Sequence, residues 1–117
     1  MKEINFRLGL FRGDIFEGFV LGNLITIEKK IEYEILLLYV KIQKRKLGYA
    51  TKFLKSISLV FNNNQLKNIY LKVAKDNQLA INLYKKNNYL QTGIRKDDYQ
   101  FSNTKIDVYF IEKIINE

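Results

Sequence analysis

Residues 40–51 read V-K-I-Q-K-R-K-L-G-Y-A-T, and here residue type and spacing point most directly to chemistry. Lys44, Arg45 and Lys46 set positive charge beside Gly48, and Ala50 follows two residues later. An apolar run at 35–40 comes before. Ala50, Phe53, Leu54, Ile57 and Phe61 come after, at i, i+3, i+4, i+7 and i+11, the spacing of one helical face. The pattern predicts a strand, a short basic loop and the start of a helix. The first N–H groups of a helix lack intrahelical partners, and that end carries partial positive charge. A phosphate or pyrophosphate fits there, and Gly48 lets it approach the backbone. The plainer alternative is that Gly48 eases a turn and the lysines are solvated. The loop is not a Walker loop, since no Gly-Lys-Ser/Thr follows, nor a dinucleotide fingerprint, which needs three glycines.

Composition narrows the chemistry. At 117 residues, 47% hydrophobic and 14% aromatic, the chain suits one compact domain over residues 1–117. The net charge of +8 favours an anionic partner, whether a phosphorylated cofactor, an acidic protein surface or nucleic acid. The lysines are spread along the whole chain, which argues against nucleic acid. An RNA-binding domain could stack bases on strand aromatics, but no RNP-like motif is present. With no Cys and no His, thiolate and Ser-His-Asp chemistry are excluded, and no metal site is expected. A general base must be Asp, Glu, Lys, Tyr or a water chain. The N-terminus has no apolar signal-peptide core, and no apolar run is long enough to span a bilayer. A cytoplasmic protein with no membrane partner is the expectation.

The surrounding elements follow from periodicity. Ile4, Phe6, Leu8 and Leu10 alternate onto one face; Gly13-Asp14 signals a turn; residues 15–27 are strand-like, with Gly18 and Gly22 as bulge or close-approach points. Lys29-Lys30 marks a second turn before a strand at 33–40. A helix then runs to Asn62-Asn63-Asn64, and a strand covers 67–73. A second helix starts near Asp76 or Asn77, either a good N-cap, carries a stripe of Ala80, Leu83 and Tyr84, and ends at Asn87-Asn88. Strands at 89–94 and 105–115 close the chain. The order β-β-β-α-β-α-β-β is an α+β arrangement. Its β-α-β unit over residues 33–73 predicts a right-handed crossover, a mixed sheet, and helices packed against its faces.

Arg45-Lys46-Leu47-Gly48-Tyr49-Ala50 has the form R/Q-x-x-G-x-G/A and resembles the acetyl-CoA pyrophosphate loop of the GNAT N-acetyltransferase family. Asn77, Ala80 and Tyr84, followed by Asn88-Tyr89, resemble that family's N-x-x-A-x-x-x-Y helix and glycine-aromatic pair. G-I-R-K-D-D-Y at 93–99 is similar to an element of the group that acetylates protein N-termini, notably a ribosomal-protein alanine. Asp107 falls where that group carries an acidic residue. The likeness runs from about residue 34 to 113.

The resemblance implies an acetyl-CoA-dependent transferase acting on a primary amine, with a protein N-terminus as acceptor. It assigns the cofactor's pyrophosphate to Arg45, Lys46, Leu47, Gly48, Tyr49 and Ala50. It assigns the pantetheine arm to Asn77 and the backbone of Leu38, Tyr39 and Val40, as an amide-bearing chain adds to a strand edge. Tyr84 would protonate the departing thiolate, although its place on the apolar stripe also suits plain core. The group's strand glutamate is absent: its L-E-V triplet is Leu71-Lys72-Val73 here. Glu34 is the substitute base, or a surface carboxylate at a strand end. Asp97 and Asp98 would bind an amine substrate. The family's first strand and two helices are missing from this sequence, so the wall of the acceptor groove is expected to be lacking. A truncated gene, a cofactor-binding relic without turnover, or a homodimer whose neighbour supplies the wall would each account for that.

Overall fold

The computed structural model describes residues 2–41, 48–60, 66–101 and 103–116. The elements are β1 (Lys2–Arg12), β2 (Ile15–Ile27), β3 (Lys30–Val40), α1 (Tyr49–Val60), β4 (Leu66–Ala74), α2 (Gln78–Lys86), β5 (Leu90–Phe101) and β6 (Thr104–Ile114). They match the expected order. The six strands form one sheet in the order β1-β2-β3-β4-β6-β5, antiparallel except for the β3–β4 pair. The fold is a mixed α+β arrangement, as expected. No helix among the described residues is long and apolar enough to cross a membrane.

Both helices lie on one face, not on two. The crossovers β3-α1-β4 and β4-α2-β5 advance in the same direction across the sheet. Two right-handed crossovers of that sense place their helices on the same side. Phe53, Leu54 and Ile57 from α1 and Ile81 and Tyr84 from α2 join one buried cluster with Tyr33, Ile35, Ile69, Leu71 and Val73. Asn87 Nδ2 donates to Thr51 Oγ1 at 3.3 Å and ties the end of α2 to the first turn of α1. Ile57 is fully buried, which contributes about 1.5–3 kcal/mol. The α2 stripe is wider than expected: Ile81 and Tyr84 are its buried residues, with Ala80 and Leu83 partly buried. A short helix wedged between sheet and neighbour is covered over a broader arc than one stripe.

The second hairpin turn falls on Glu28-Lys29, one residue earlier than expected, with φ of 48° and 68°. Positive φ at both central residues matches the twist of the flanking strands. Gly13 turns the first hairpin at φ 62°. β3 carries one extra residue: Leu21 pairs with Leu37 and Gly22 with Ile35, so Leu36 bulges out of register. Gly22 permits this. A Cβ there would collide with the Glu34 carbonyl oxygen and the Tyr33 ring.

Substituting Gly22→Ala is expected to lower stability by about 1–3 kcal/mol through overpacking, read as a lower midpoint in chemical denaturation. An unchanged midpoint would show that the backbone accommodates a side chain there.

Candidate functional site

The parallel ladder between β3 and β4 runs from Ile31↔Leu66 to Ile35↔Leu71 and stops. β3 continues to Val40 and β4 to Ala74. Beyond Leu71 the two strands diverge around a cleft of about 200 Å³. Bulges bend the strand that carries them, and Leu36 sits where β3 leaves β4. Residues 35–38 form one wall and Leu71, Lys72 and Val73 the other; Asn77, Ala80, Leu83 and Tyr84 of the second crossover close the third side. Of the expected pantetheine contacts on β3, Leu38 lines the cleft. Tyr39 packs its ring on Phe19 at 5.6 Å, and Val40 is buried in the core. Ile35, Leu36 and Leu37, which the motif did not single out, also line the cleft. The signal that pointed to them was Gly22, the bulge position on the neighbouring strand.

At the start of α1, Gly48 has φ +81°, a left-handed value that suits glycine. Its carbonyl accepts the Lys52 N–H at 3.0 Å, so it caps the helix. Among the described residues, its chain neighbours aside, no atom lies within 4 Å of where its Cβ would be. The first turn of α1 contains no acidic residue, so no carboxylate of its own neutralises the positive end of the dipole. Tyr49 and Ala50 pack inward on the core, and Lys52 Nζ stands 5.1 Å from the Tyr49 ring centroid. Lys44, Arg45, Lys46 and Leu47 lie outside the described residues, as do the side chains of Asp97, Asp98 and Tyr99.

Tyr84 is positioned by the end of its own helix. Asn88 takes φ 70°, the Tyr89 N–H donates to the Tyr84 carbonyl at 2.9 Å, and the Asn88 N–H donates to the Lys85 carbonyl at 3.0 Å. These two bonds make a left-handed Schellman cap. The apolar contact that accompanies such a cap is the Tyr84–Tyr89 pair, edge to face at 5.2 Å. At the other end, Asn77 Oδ1 accepts the Ala80 N–H at 3.2 Å. Caps at both ends thus fix α2 against the cleft. Burial pushes the Tyr84 phenol well above its ordinary value; the Tyr89 phenol is raised by burial and by its neighbour Tyr84. Tyr84 therefore stays protonated through the neutral range and keeps a proton to donate.

Glu34 is half-buried on the sheet face opposite the helices, with Asn23 and Tyr70 as its ladder neighbours. It precedes the bulge by two residues and does not line the cleft. Lys72 is exposed, follows Tyr70 on that same face, and does line the cleft. No cluster of acidic residues among those described could hold a metal ion.

The Acetyltransferase (GNAT) family profile matches residues 7–89, well over half of the sequence. The chain belongs to the GNAT acetyltransferase family. No curated protein matches this GNAT chain by sequence. Solved structures share its fold. The ribosomal-protein-S18-alanine N-acetyltransferase from Escherichia coli gives a TM-score of 0.81 at 16% identity, over 97% of this chain and 70% of that one. Arabidopsis thaliana Naa50, in complex with the bisubstrate analogue CoA-Ac-MVNAL, gives 0.73 at 26% identity, over 86% of this chain and 66% of that one. Arabidopsis thaliana NAA60 in complex with acetyl-CoA gives 0.77 at 20% identity, over 87% and 67%. The GNAT chain thus spans about two thirds of the length of these proteins.

Two outcomes are expected. Asn88→Gly should hold or raise stability, whereas Asn88→Val should cost about 1–2 kcal/mol, because a branched residue resists the left-handed conformation; equal thermal midpoints would contradict the cap. The second concerns alkali. Burial pushes the Tyr33 phenol from its ordinary value of 10 up to about 12, and Tyr84 and Tyr89 are also raised. A raised phenol is retained as a proton by the fold and released by the unfolded chain, so stability is full below pH 10 and falls as pH rises through 12. Denaturation midpoints measured across that window should drop; a flat profile would contradict the burial of these phenols.

Proposed function

We propose that this GNAT chain transfers the acetyl group of acetyl-CoA to a primary amine, that of a protein N-terminus, in the cytoplasm. The observation that carries the proposal is the gap between β3 and β4 beyond Ile35↔Leu71, with Tyr84 on its wall. Its largely apolar, strand-edged walls suit a pantetheine arm, and the start of α1 at Gly48, with no acidic residue in its first turn, suits a pyrophosphate. The lone pair of the acceptor amine attacks the thioester carbonyl carbon. The C–S bond of the resulting tetrahedral adduct breaks, the electron pair leaves on sulfur, and Tyr84 donates its phenolic proton to it. The proton lost by the amine goes to Glu34, directly or through water. The acceptor class is supported by relatives whose names specify a ribosomal-protein alanine and a peptide-bearing bisubstrate analogue.

A second reading is a module that binds acetyl-CoA without turnover. Lys72 favours it, because an ammonium stands in the Leu71-Lys72-Val73 triplet where a carboxylate base was expected.

Calorimetry with acetyl-CoA and release of free thiol with a peptide panel separate the two. The transferase should bind acetyl-CoA and release thiol only when an acceptor amine is present. Tyr84→Phe should cut kcat by about 10²-fold, the lower end for loss of a general acid, with the dissociation constant for acetyl-CoA nearly unchanged. Tight binding with no thiol release from any acceptor would leave the binding module. No binding would overturn both.

A further inference from the structure

We infer that Lys72 makes this site select acceptors whose amine stands beside a carboxylate. The inference rests on the acetyl-transfer reading and names its substrate class. Among the described residues that line the cleft, Lys72 is the one charged side chain; Asn77 and Tyr84 are polar, and the rest are apolar. It follows Leu71, the last residue of β4 paired to β3. Strand alternation puts it on the helix-free face with Tyr70, and it makes no ion pair with any described residue. Leu36 and Leu37 stand half exposed on the opposite wall. An acceptor arriving from the helix-free face therefore meets Lys72 as the one charged group of the cleft lining, beside half-exposed leucines, with the carboxylates of Glu34 and Glu112 further along the same face, both opposite Tyr70.

That setting acts on an amine in two ways. A nearby positive charge disfavours the ammonium form, which raises the share of neutral, nucleophilic amine. The same charge offers a cationic amine no attraction, so the acceptor must carry a group that pays for the approach. A carboxylate close to the amine does so through a charge-assisted hydrogen bond to the Lys72 ammonium. Glu34 is on the same face, beside Tyr70 and two residues short of Lys72 along the sheet; it receives the amine proton while Lys72 holds the carboxylate. An acceptor whose first residue is Lys or Arg brings a second cation to Lys72 and is rejected by repulsion. The carboxylate has two sources with the same chemistry: the side chain of an acidic first residue in a peptide, or the α-carboxylate of a free amino acid.

The test uses the full chain, saturating acetyl-CoA, and peptides that differ only in a first residue of Asp, Ala or Lys, with free amino acids as a further arm. The Asp peptide should exceed the Lys peptide in kcat/KM by about ten-fold or more. Lys72→Met should level the series and Lys72→Glu should invert it. Lys72 is exposed, so both variants are expected to keep the wild-type thermal midpoint. Free amino acids outrunning the Ala peptide would assign the α-carboxylate; the Asp peptide leading would assign the acidic side chain. Calorimetry of the same peptides on the CoA-bound protein reads the order without turnover. If no acceptor is acetylated but the acidic peptide still binds best, the transfer reading falls and the selectivity stands. Equal affinity and equal kcat/KM across the series would overturn the inference. So would a uniform drop for every acceptor on Lys72→Met, since that would make Lys72 part of the transfer chemistry and not of acceptor choice.

Discussion

One inserted residue governs this molecule. A parallel pair of strands stays together only while register and bend agree, and Leu36 breaks both on β3. On the β2 side the ladder absorbs the insertion, because Gly22 lets the Glu34 carbonyl and the Tyr33 ring come close. On the β4 side it does not, and pairing ends at Ile35↔Leu71. The sheet remains continuous through its lower half and opens in its upper half. The gap exposes strand edges, which are hydrogen-bonding groups in need of a partner. A guest with amides along its length can supply them.

Everything around the gap is fixed by local chemistry at element ends. Gly48 starts α1 in a left-handed conformation, with no acidic residue in the following turn. Asn77 starts α2, and Asn88 ends it in a conformation that folds Tyr89 back on Tyr84. The phenol on the cleft wall is thereby braced by a cap. The two helices share one face because both crossovers turn the same way, so the opposite face of the sheet carries no helix among the described residues.

Much of this was legible in the sequence, for identifiable reasons. Strand and helix periods named all eight elements, and Gly13, Gly22, Asn77 and Asn88 each marked a backbone event by residue type. Other features depend on partners that periodicity does not carry. β5 extends to Phe101 because β6 pairs with it through Tyr99↔Ile106 and Phe101↔Thr104, although residues 95–101 do not alternate. Ile81 is buried by tertiary packing outside the stripe that spacing suggests. The Glu28-Lys29 turn uses positive φ at residues that seldom adopt it, which only the twist of the hairpin demands. For the site, the motif named Gly48, Asn77 and Tyr84. The Leu36 bulge was visible only as a glycine on the neighbouring strand.

The most direct test is the position of coenzyme A in a crystal structure of the complex. The pantetheine arm should lie between residues 36–38 of β3 and 71–73 of β4, its sulfur at the Tyr84 hydroxyl and its pyrophosphate at the backbone of Gly48. Coenzyme A bound elsewhere, or a β3–β4 ladder that zips closed past Leu71 in the complex, would contradict the account.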